Sequence, residues 1–194
     1  NVLLFILVKL HTMKEGTLFQ FVGFETSVKL DDFTAQWENF ARKFFRQDIH
    51  TIVLQQQVKS RDRFKYVSMN EWPQDYFCFN FMEGRGSDYF PDHRVKVVQA
   101  GGYAPVQVEL TSPSPQDVKV MVFLHEDENS KSTYHKWPYN HLNVYQAYYQ
   151  SCLYASILEF YTGEEQAPEL YALLKKRFHL SDIGIYRECL VLQG

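Results

Sequence analysis

The sequence has few of the residues that mark disulfide or metal chemistry. Three of its 194 residues are cysteines, Cys78, Cys152 and Cys189, and no two of them form a C-x-x-C pair. This pattern indicates neither a zinc site nor a disulfide framework, and it predicts reduced thiols in an intracellular, cytoplasmic protein. The histidines at positions 125, 135 and 141 are spaced by ten and six residues, which does not fit a metal-ligand motif. We therefore predict no metal and no organic cofactor.

Long apolar runs and an excess of positive charge are also missing. The apolar segment at residues 2–10 is far shorter than the roughly 20 residues of a membrane-spanning helix. It has neither a basic leader nor a small-residue cleavage site, so a signal peptide is not expected, although a trimmed targeting segment before Asn1 is left open. The net charge of −3 and the pI of about 6.2 argue against a basic nucleic-acid-binding face. We expect neither a membrane nor a nucleic acid as a partner.

Aromatic residues, in contrast, are abundant. The chain has 16 Phe, 13 Tyr and 3 Trp, which together make 16% of its residues. Such side chains bury large areas in a protein core, and they also line pockets for apolar ligands. The composition favours the core, but it leaves the pocket open.

The order of predicted elements points to an α+β fold. Residues 18–110 predict a strand, a helix, two antiparallel strands, a second helix and a last strand. The first strand covers residues 18–26, and Gly23 in it indicates a bulge or a close approach. The second helix is predicted at residues 74–82. Residues 95–110 predict two extended pieces around Gly101 and Gly102, which allow either a sharp bend or a close backbone contact.

The second part of the chain predicts a shorter unit. After a polar, proline-interrupted linker at residues 111–115, residues 116–194 predict a strand at 118–125, helices at 142–161 and 167–178, and a strand at 184–192. This unit has the order of a degenerate copy of the first unit without its middle hairpin. A strand predicted at residues 2–10 is a candidate to complete it.

Three short patterns carry a resemblance to a known family. They are the helical spacing Phe33-x3-Trp37-x2-Phe40, the strand from Arg63-Phe64 to Glu71-Trp72, and the pair Tyr76-Phe77. With the element order of residues 18–110, they resemble the antibiotic-biosynthesis-monooxygenase-like proteins of the ferredoxin-like, dimeric α/β-barrel superfamily. The resemblance implies two four-stranded sheets packed into one barrel, either in a homodimer or from two tandem units of one chain.

The resemblance also implies a range of functions. A pocket lies between each sheet and its helices; some members oxidise aromatic polyketides without a cofactor, some bind and degrade heme, and some have no known reaction. We therefore predict a small-molecule-binding barrel, monooxygenase-like if it is an enzyme, for an apolar or aromatic substrate. The alternatives are a non-catalytic binder of heme or another apolar ligand, and a structural or interaction protein whose barrel is filled with side chains.

The same resemblance gives candidate site residues. Aromatic side chains would line the pocket: Trp37, Phe40, Phe44, Trp72 and Phe77. Tyr66 or His93 would transfer protons in the reaction. In the heme-degrading branch His93 would lie near the axial position, but the asparagine expected on the first strand is missing from residues 23–26.

Overall fold

Eight antiparallel strands close into one barrel in the computed structural model, which describes residues 17–44, 49–57, 64–73, 90, 92–107, 117–126, 142–148 and 152–193. In chain order the elements are β1 (Thr17–Thr26), α1 (Leu30–Phe44), β2 (His50–Gln56), β3 (Tyr66–Pro73), β4 (Val95–Gln107), β5 (Asp117–Leu124), β6 (Leu142–Ala147), β7 (Ser156–Gly163), α2 (Ala167–Arg177) and β8 (Asp182–Leu192). Neither described helix is long and apolar enough to cross a membrane.

The strand order divides the barrel into two groups of four. Around the barrel the order is β1-β3-β2-β8-β5-β7-β6-β4. The first group therefore has the order β4-β1-β3-β2, and the second has the order β8-β5-β7-β6. In each group the fourth strand in chain order lies beside the first, followed by the third and the second. The seams between the groups are the β2–β8 and β4–β6 pairs. The barrel thus closes within one chain.

Large side chains fill the barrel interior. Because successive residues of a strand point to opposite faces, Phe19 and Phe21 of β1 point inward, while Val22 and Phe24 point outward. Residues from all eight strands or their adjoining loops contribute to the interior cluster: Phe19, Phe21, Ile52, Leu54, Phe64, Val67, Met69, Val98, Tyr103, Met121, Phe123, Tyr145, Ala147, Cys152, Tyr154, Ile157 and Tyr186. This filling agrees with the predicted α+β barrel and makes the interior a core.

The two helices pack on the outer surface of the barrel. Helix α1 places Phe33, Trp37 and Phe40 against the outer face of the first group. It has acidic residues in its first turn and basic residues in its last, as the helix dipole favours. Helix α2 places Leu170 and Leu174 against the outer face of the second group. The helical spacing of Phe33, Trp37 and Phe40 and the helix predicted at residues 167–178 are confirmed.

The helix predicted at residues 142–161 is wrong. Strands β6 and β7 form an antiparallel pair there, so the second group contains the middle hairpin that it was expected to lack. Both strands are covered on two faces, by the barrel core and by the outer cluster of α2, and their apolar residues therefore do not alternate with polar ones. The buried polar residues Asn143 and Glu159 interrupt the apolar run and give it a helix-like spacing.

Glycines in β1 and β4 lie where a neighbouring side chain packs closely against the backbone. Strand β4 runs unbroken through residues 95–107, which corrects the two predicted pieces. A Cβ at Gly101 would lie 2.8 Å from the ring of Tyr103, so the side chain of a neighbour occupies that space. At Gly23 the ladder between β1 and β4 shifts register, which confirms the predicted bulge.

Several predictions concern other residues. The strand at residues 2–10, the helix at 74–82, the linker at 111–115 and Cys78 lie outside the described residues. Cys152 and Cys189 are free thiols.

Candidate functional site

A row of polar side chains crosses the outer face of the first group of strands. Gln20 of β1 lies directly opposite Asn70 of β3, which in turn lies opposite Thr51 of β2. These side chains share the face of Val22 and Val53, which pack against α1. Thr51, Gln20 and Asn70 are 1%, 2% and 0% exposed. Polar side chains are rarely buried to this extent unless hydrogen bonds or a ligand satisfy them.

A hydrogen-bond network joins this row to its neighbours on β3. The indole Nε1 of Trp72 donates to Gln20 Oε1 over 3.1 Å. The amide Nδ2 of Asn70 donates to the same oxygen over 3.2 Å and to Ser68 Oγ over 3.3 Å. We call Gln20, Thr51, Ser68, Asn70 and Trp72 the polar row.

Two atoms of the polar row are left without hydrogen bonds. Asn70 Oδ1 and Thr51 Oγ1 are buried, and neither has a hydrogen-bond partner among the residues that the structure describes. A buried acceptor without a donor costs about 1–3 kcal/mol. The face therefore presents at least one acceptor that a ligand group could satisfy.

The equivalent face of the second group of strands is apolar. There Val120 of β5 lies opposite Phe160 of β7, and Val122 lies opposite Leu158. All four are buried in the cluster under α2. The second group packs this face mainly with aliphatic and aromatic side chains, with Ser156 as a buried polar exception at the start of β7, so the barrel does not require a polar row for packing.

Two of the predicted pocket residues lie in a packed aromatic cluster beside the polar row. Trp37 and Phe40 stack against Phe90 with ring centroids 5.9 and 5.3 Å apart. Trp37 is fully buried, and Phe24 packs edge-on against it at 5.3 Å. This packing places Trp37 and Phe40 side by side over the outer face of the first group of strands. Their role in ligand binding stays a prediction.

Tyr66 belongs to the same aromatic cluster. Its ring stacks on Phe33 with centroids 4.0 Å apart, and its hydroxyl lies 3.4 Å from the carbonyl oxygen of Val28. Burial, followed by the nearby Cys189 and Asp31, raises the pKa of the phenol. The phenol is therefore held in its protonated form, and its catalytic assignment stays a prediction.

The other candidate residues are not brought to one place. Trp72 belongs to the polar row, while His93 is exposed in a turn between Asp92 and Arg94, which form an ion pair. The Arg94 hydrogen bonds hold the pKa of Asp92 well below its ordinary value. The side chain of Phe44 and the whole of Phe77 lie outside the described residues. The structure therefore leaves these assignments as predictions.

A second buried polar cluster lies inside the barrel. The ammonium of Lys119 is 2.9 Å from Glu159 Oε1 and 3.0 Å from Glu188 Oε1, and the Lys119 and Glu159 side chains are 3% and 0% exposed. Asn143 Nδ2 and the Tyr145 hydroxyl both donate to Glu159 Oε2, over 2.9 and 3.1 Å. The cluster fixes the orientation of the carboxylate from both sides.

The charges of this cluster stabilise each other. Burial alone would raise the pKa of Glu159, but the Lys119 ammonium and the donated hydrogen bonds lower it overall. Burial would lower the pKa of Lys119, whereas Glu159 raises it overall. Burial and the Glu159 charge raise the pKa of the Tyr145 phenol. Lys119 is therefore a charged ammonium held between two carboxylates and is poorly suited to act as a nucleophile.

Sequence reasoning missed the polar row and the interior ion pair. Gln20, Thr51, Ser68 and Asn70 come from three strands, and only the register brings them together. The available signal was a polar residue at a position where the neighbouring alternate residues of a strand are apolar, as with Gln20 between Leu18 and Val22.

Comparison with known proteins supports the fold. No family model matches the sequence, and no curated protein matches it. Among solved structures, an anthrone oxidase-like protein superposes with a TM-score of 0.62 at 10% identity, covering 92% of this chain and 93% of that chain. A variant chlorite dismutase from Candidatus Nitrospira defluvii, in complex with cyanide, superposes with a TM-score of 0.55 at 12% identity, covering 92% and 93%. The same enzyme in complex with imidazole gives 0.53 at 11%, covering 93% and 94%.

These similarities show the architecture. TM-scores of 0.62 and 0.55 over nearly the whole of both chains show a shared α+β barrel fold. They do not transfer a reaction, because one scaffold hosts many activities.

Proposed function

We propose that this protein is a small-molecule-binding α/β barrel that takes an apolar, aromatic ligand on the outer face of its first four strands. The observation that carries the proposal is the buried polar row, which has no counterpart among the apolar pairs of the β5–β7 face. Apolar walls with a few placed polar groups are typical of ligand sites. The aromatic cluster of Trp37, Phe40 and Phe90 supplies such a wall on the same face.

The finer proposal is a monooxygenase-like reaction that uses dioxygen without a cofactor. It is supported by the family resemblance of residues 18–110 and by the name of the anthrone oxidase-like structural neighbour. Anthrone is a suitable probe because its oxidation needs no external reductant: anthrone and O₂ give anthraquinone and water, so carbon, hydrogen and oxygen balance. The polar row would hold the ligand oxygen during this reaction.

Binding and turnover of anthrone test the proposal together. Quenching of tryptophan fluorescence measures binding, and O₂ uptake with anthraquinone absorbance measures turnover above the autoxidation rate. We expect saturable binding that Asn70→Leu weakens and that Thr162→Val, a polar-to-apolar control near the end of β7, leaves unchanged. Absence of saturable binding would reject the small-molecule proposal, and binding without turnover would restrict it to a non-catalytic binder.

A histidine-ligated heme does not fit the described residues. A histidine that holds heme iron has to face an enclosed pocket, yet none of the four histidines in the described ranges is buried: His50, His93, His125 and His179. Within those ranges, no three histidine, cysteine or acidic side chains group closely enough to hold a metal ion. We expect hemin to give no saturable Soret shift. A shift at one equivalent that His93→Ala abolishes would instead establish the heme-binding alternative.

We further propose that residues 18–110 and 116–194 are tandem ferredoxin-like units. The repeated strand order of the two groups supports this division. Since the barrel closes within one chain, a homodimer would serve some purpose other than barrel closure. Light scattering of the purified full chain tests whether it forms one.

A further inference from the structure

We infer that the ligand of the polar row carries an O–H or N–H group that donates a hydrogen bond to Asn70 Oδ1. The inference rests on the proposed function and specifies its ligand class: phenols, enols (the anthrol tautomer of anthrone among them) and related aromatic hydroxyl compounds, as opposed to their ethers or to ketones that cannot enolise. It follows from which atoms of the Trp72, Gln20 and Asn70 side chains donate hydrogen bonds and which accept them.

The orientation of Gln20 is fixed by Trp72. An indole Nε1 is only a donor, so the Gln20 atom 3.1 Å away from it must be the acceptor Oε1. Rotating the Gln20 amide by 180° would place an N–H against the indole N–H, with two donors facing each other. The network therefore selects one of the two amide orientations.

The orientation of Gln20 in turn fixes Asn70. Because Gln20 Oε1 is an acceptor, the Asn70 atom 3.2 Å from it must be the donor Nδ2. The second proton of this nitrogen points to Ser68 Oγ, 3.3 Å away. Both protons of the Asn70 amide are thus used, and its oxygen must be the atom that is left.

Asn70 Oδ1 is consequently an acceptor with no described donor. The residue is 0% exposed, so bulk water does not reach this oxygen. Rotation of the amide cannot satisfy it without breaking the contact to Gln20. Only a group that brings its own proton can.

Thr51 supplies the complementary half of the contact. It lies directly opposite Asn70 on the adjacent strand, and its buried Oγ1 also has no described hydrogen-bond partner. A ligand hydroxyl could donate to Asn70 Oδ1 and accept from the Thr51 hydroxyl. An ether oxygen could make only the second of these contacts and would leave the Asn70 oxygen unsatisfied.

A matched pair of probes tests the inference. 2-Naphthol and 2-methoxynaphthalene share a ring system and differ in the donor proton, and fluorescence titration gives the Kd of each. With the wild-type protein we expect 2-naphthol to bind at least about tenfold more tightly, the discrimination expected when a site contains an unpaired buried acceptor. In Asn70→Leu this ratio should fall to about one, whereas Thr162→Val should keep it.

The outcomes separate the inference from the proposed function. Equal binding of both probes by the wild-type protein would overturn the inference and leave the ligand site in place. A naphthol preference that persists in Asn70→Leu would also overturn it, since the donor would then be recognised elsewhere. If neither these probes nor anthrone bind, both the inference and the proposed function fail.

Discussion

Asn70 connects the folding of the polar row with its proposed use. Replacing Asn70 with leucine removes two hydrogen bonds of about 1 kcal/mol each but also relieves an unsatisfied acceptor that costs about 1–3 kcal/mol. We therefore expect Asn70→Leu to change the free energy of unfolding by less than about 1 kcal/mol. Gln20→Leu, in contrast, removes the acceptor to which Trp72 Nε1 and Asn70 Nδ2 donate, and should lower the free energy of unfolding by about 2–4 kcal/mol. Urea denaturation followed by circular dichroism compares the two, and equal losses would show that Asn70 Oδ1 has a partner in the folded protein.

The interior ion pair gives a prediction with a definite sign of pH dependence. The pKa of Glu159 is lowered in the folded protein, so its ion pair adds stability above the unfolded-state pKa, and this stability is lost as pH falls through the folded-state pKa. Lys119→Met removes the cause of the lowering and leaves a buried carboxylate, whose pKa burial then raises. The variant should lose about 3–5 kcal/mol near neutral pH.

The pH profile distinguishes this explanation from a simple packing defect. As pH falls from neutral, Lys119→Met should gain stability because Glu159 becomes protonated, whereas the wild type should lose stability only once pH falls below the unfolded-state pKa of Glu159. The double variant Lys119→Met/Glu159→Gln should regain part of the loss and show little of either trend. Parallel acid profiles for the wild type and the single variant would contradict the charge-based account. Thermal unfolding between about pH 2 and pH 8 covers both trends, because the unfolded-state pKa of a glutamate is about 4.3.

At the level of single residues, the sequence indicates which side chains have useful chemical groups, but it does not indicate which of them lie close together in the fold. Trp37 and Phe40 were predicted together because they share one helix, where the spacing alone fixes the face. Gln20 and Asn70 are 50 residues apart, and their contact depends on the register of β1 and β3. A shift of one residue would place them on opposite faces. No local pattern encodes that register.

Strand β1 carries a prediction about its own geometry. A Cβ at Gly23 would lie 2.5 Å from the ring of Phe64, which is packed in the barrel interior and has no room to move. Gly23→Ala should therefore destabilise by about 1–3 kcal/mol through overpacking. Trimming the ring in Gly23→Ala/Phe64→Leu should remove the clash, although it opens a cavity of its own.

A matched glycine controls for the general effect of alanine in a strand. At Gly163 the added Cβ would meet only the flexible end of the Gln166 side chain, which can turn away. Gly163→Ala should be neutral within about 0.5 kcal/mol. Similar losses at both positions would refute the role assigned to Phe64. Chemical denaturation under the same conditions measures all three variants.

The elements were predicted where an apolar stripe or an apolar run has clear boundaries. Helices α1 and α2 have an apolar stripe, and β1, β2, β3, β5 and β8 have strand length and clear boundaries. The prediction for residues 142–161 failed because the polar residues Asn143 and Glu159 interrupt the apolar runs of β6 and β7 on the interior face, where they hydrogen-bond to each other. Strand pairing, which could resolve the ambiguity, is not a local property of the sequence.

For the whole molecule, the two seams make each half depend on the other. A fragment of residues 116–194 keeps the order β8-β5-β7-β6 but loses the partners of β8 and β6, and it exposes interior residues such as Met121, Phe123 and Ile157. Unpaired edges and an exposed apolar face favour association. Because β8 pairs with the β2 position and β6 with the β4 position of the other group, two copies of the fragment could form both seams with each other.

We therefore expect the fragment 116–194 to form a homodimer. Size-exclusion chromatography with light scattering measures its mass, and circular dichroism confirms that it is folded. Val191→Pro removes a backbone donor from the outer part of the exposed edge of β8 and should weaken the dimer, while Leu173→Ser, on the exposed side of α2, should leave it intact. A folded monomeric fragment would contradict this prediction. It would show that one four-stranded group is stable without the β2–β8 and β4–β6 pairs.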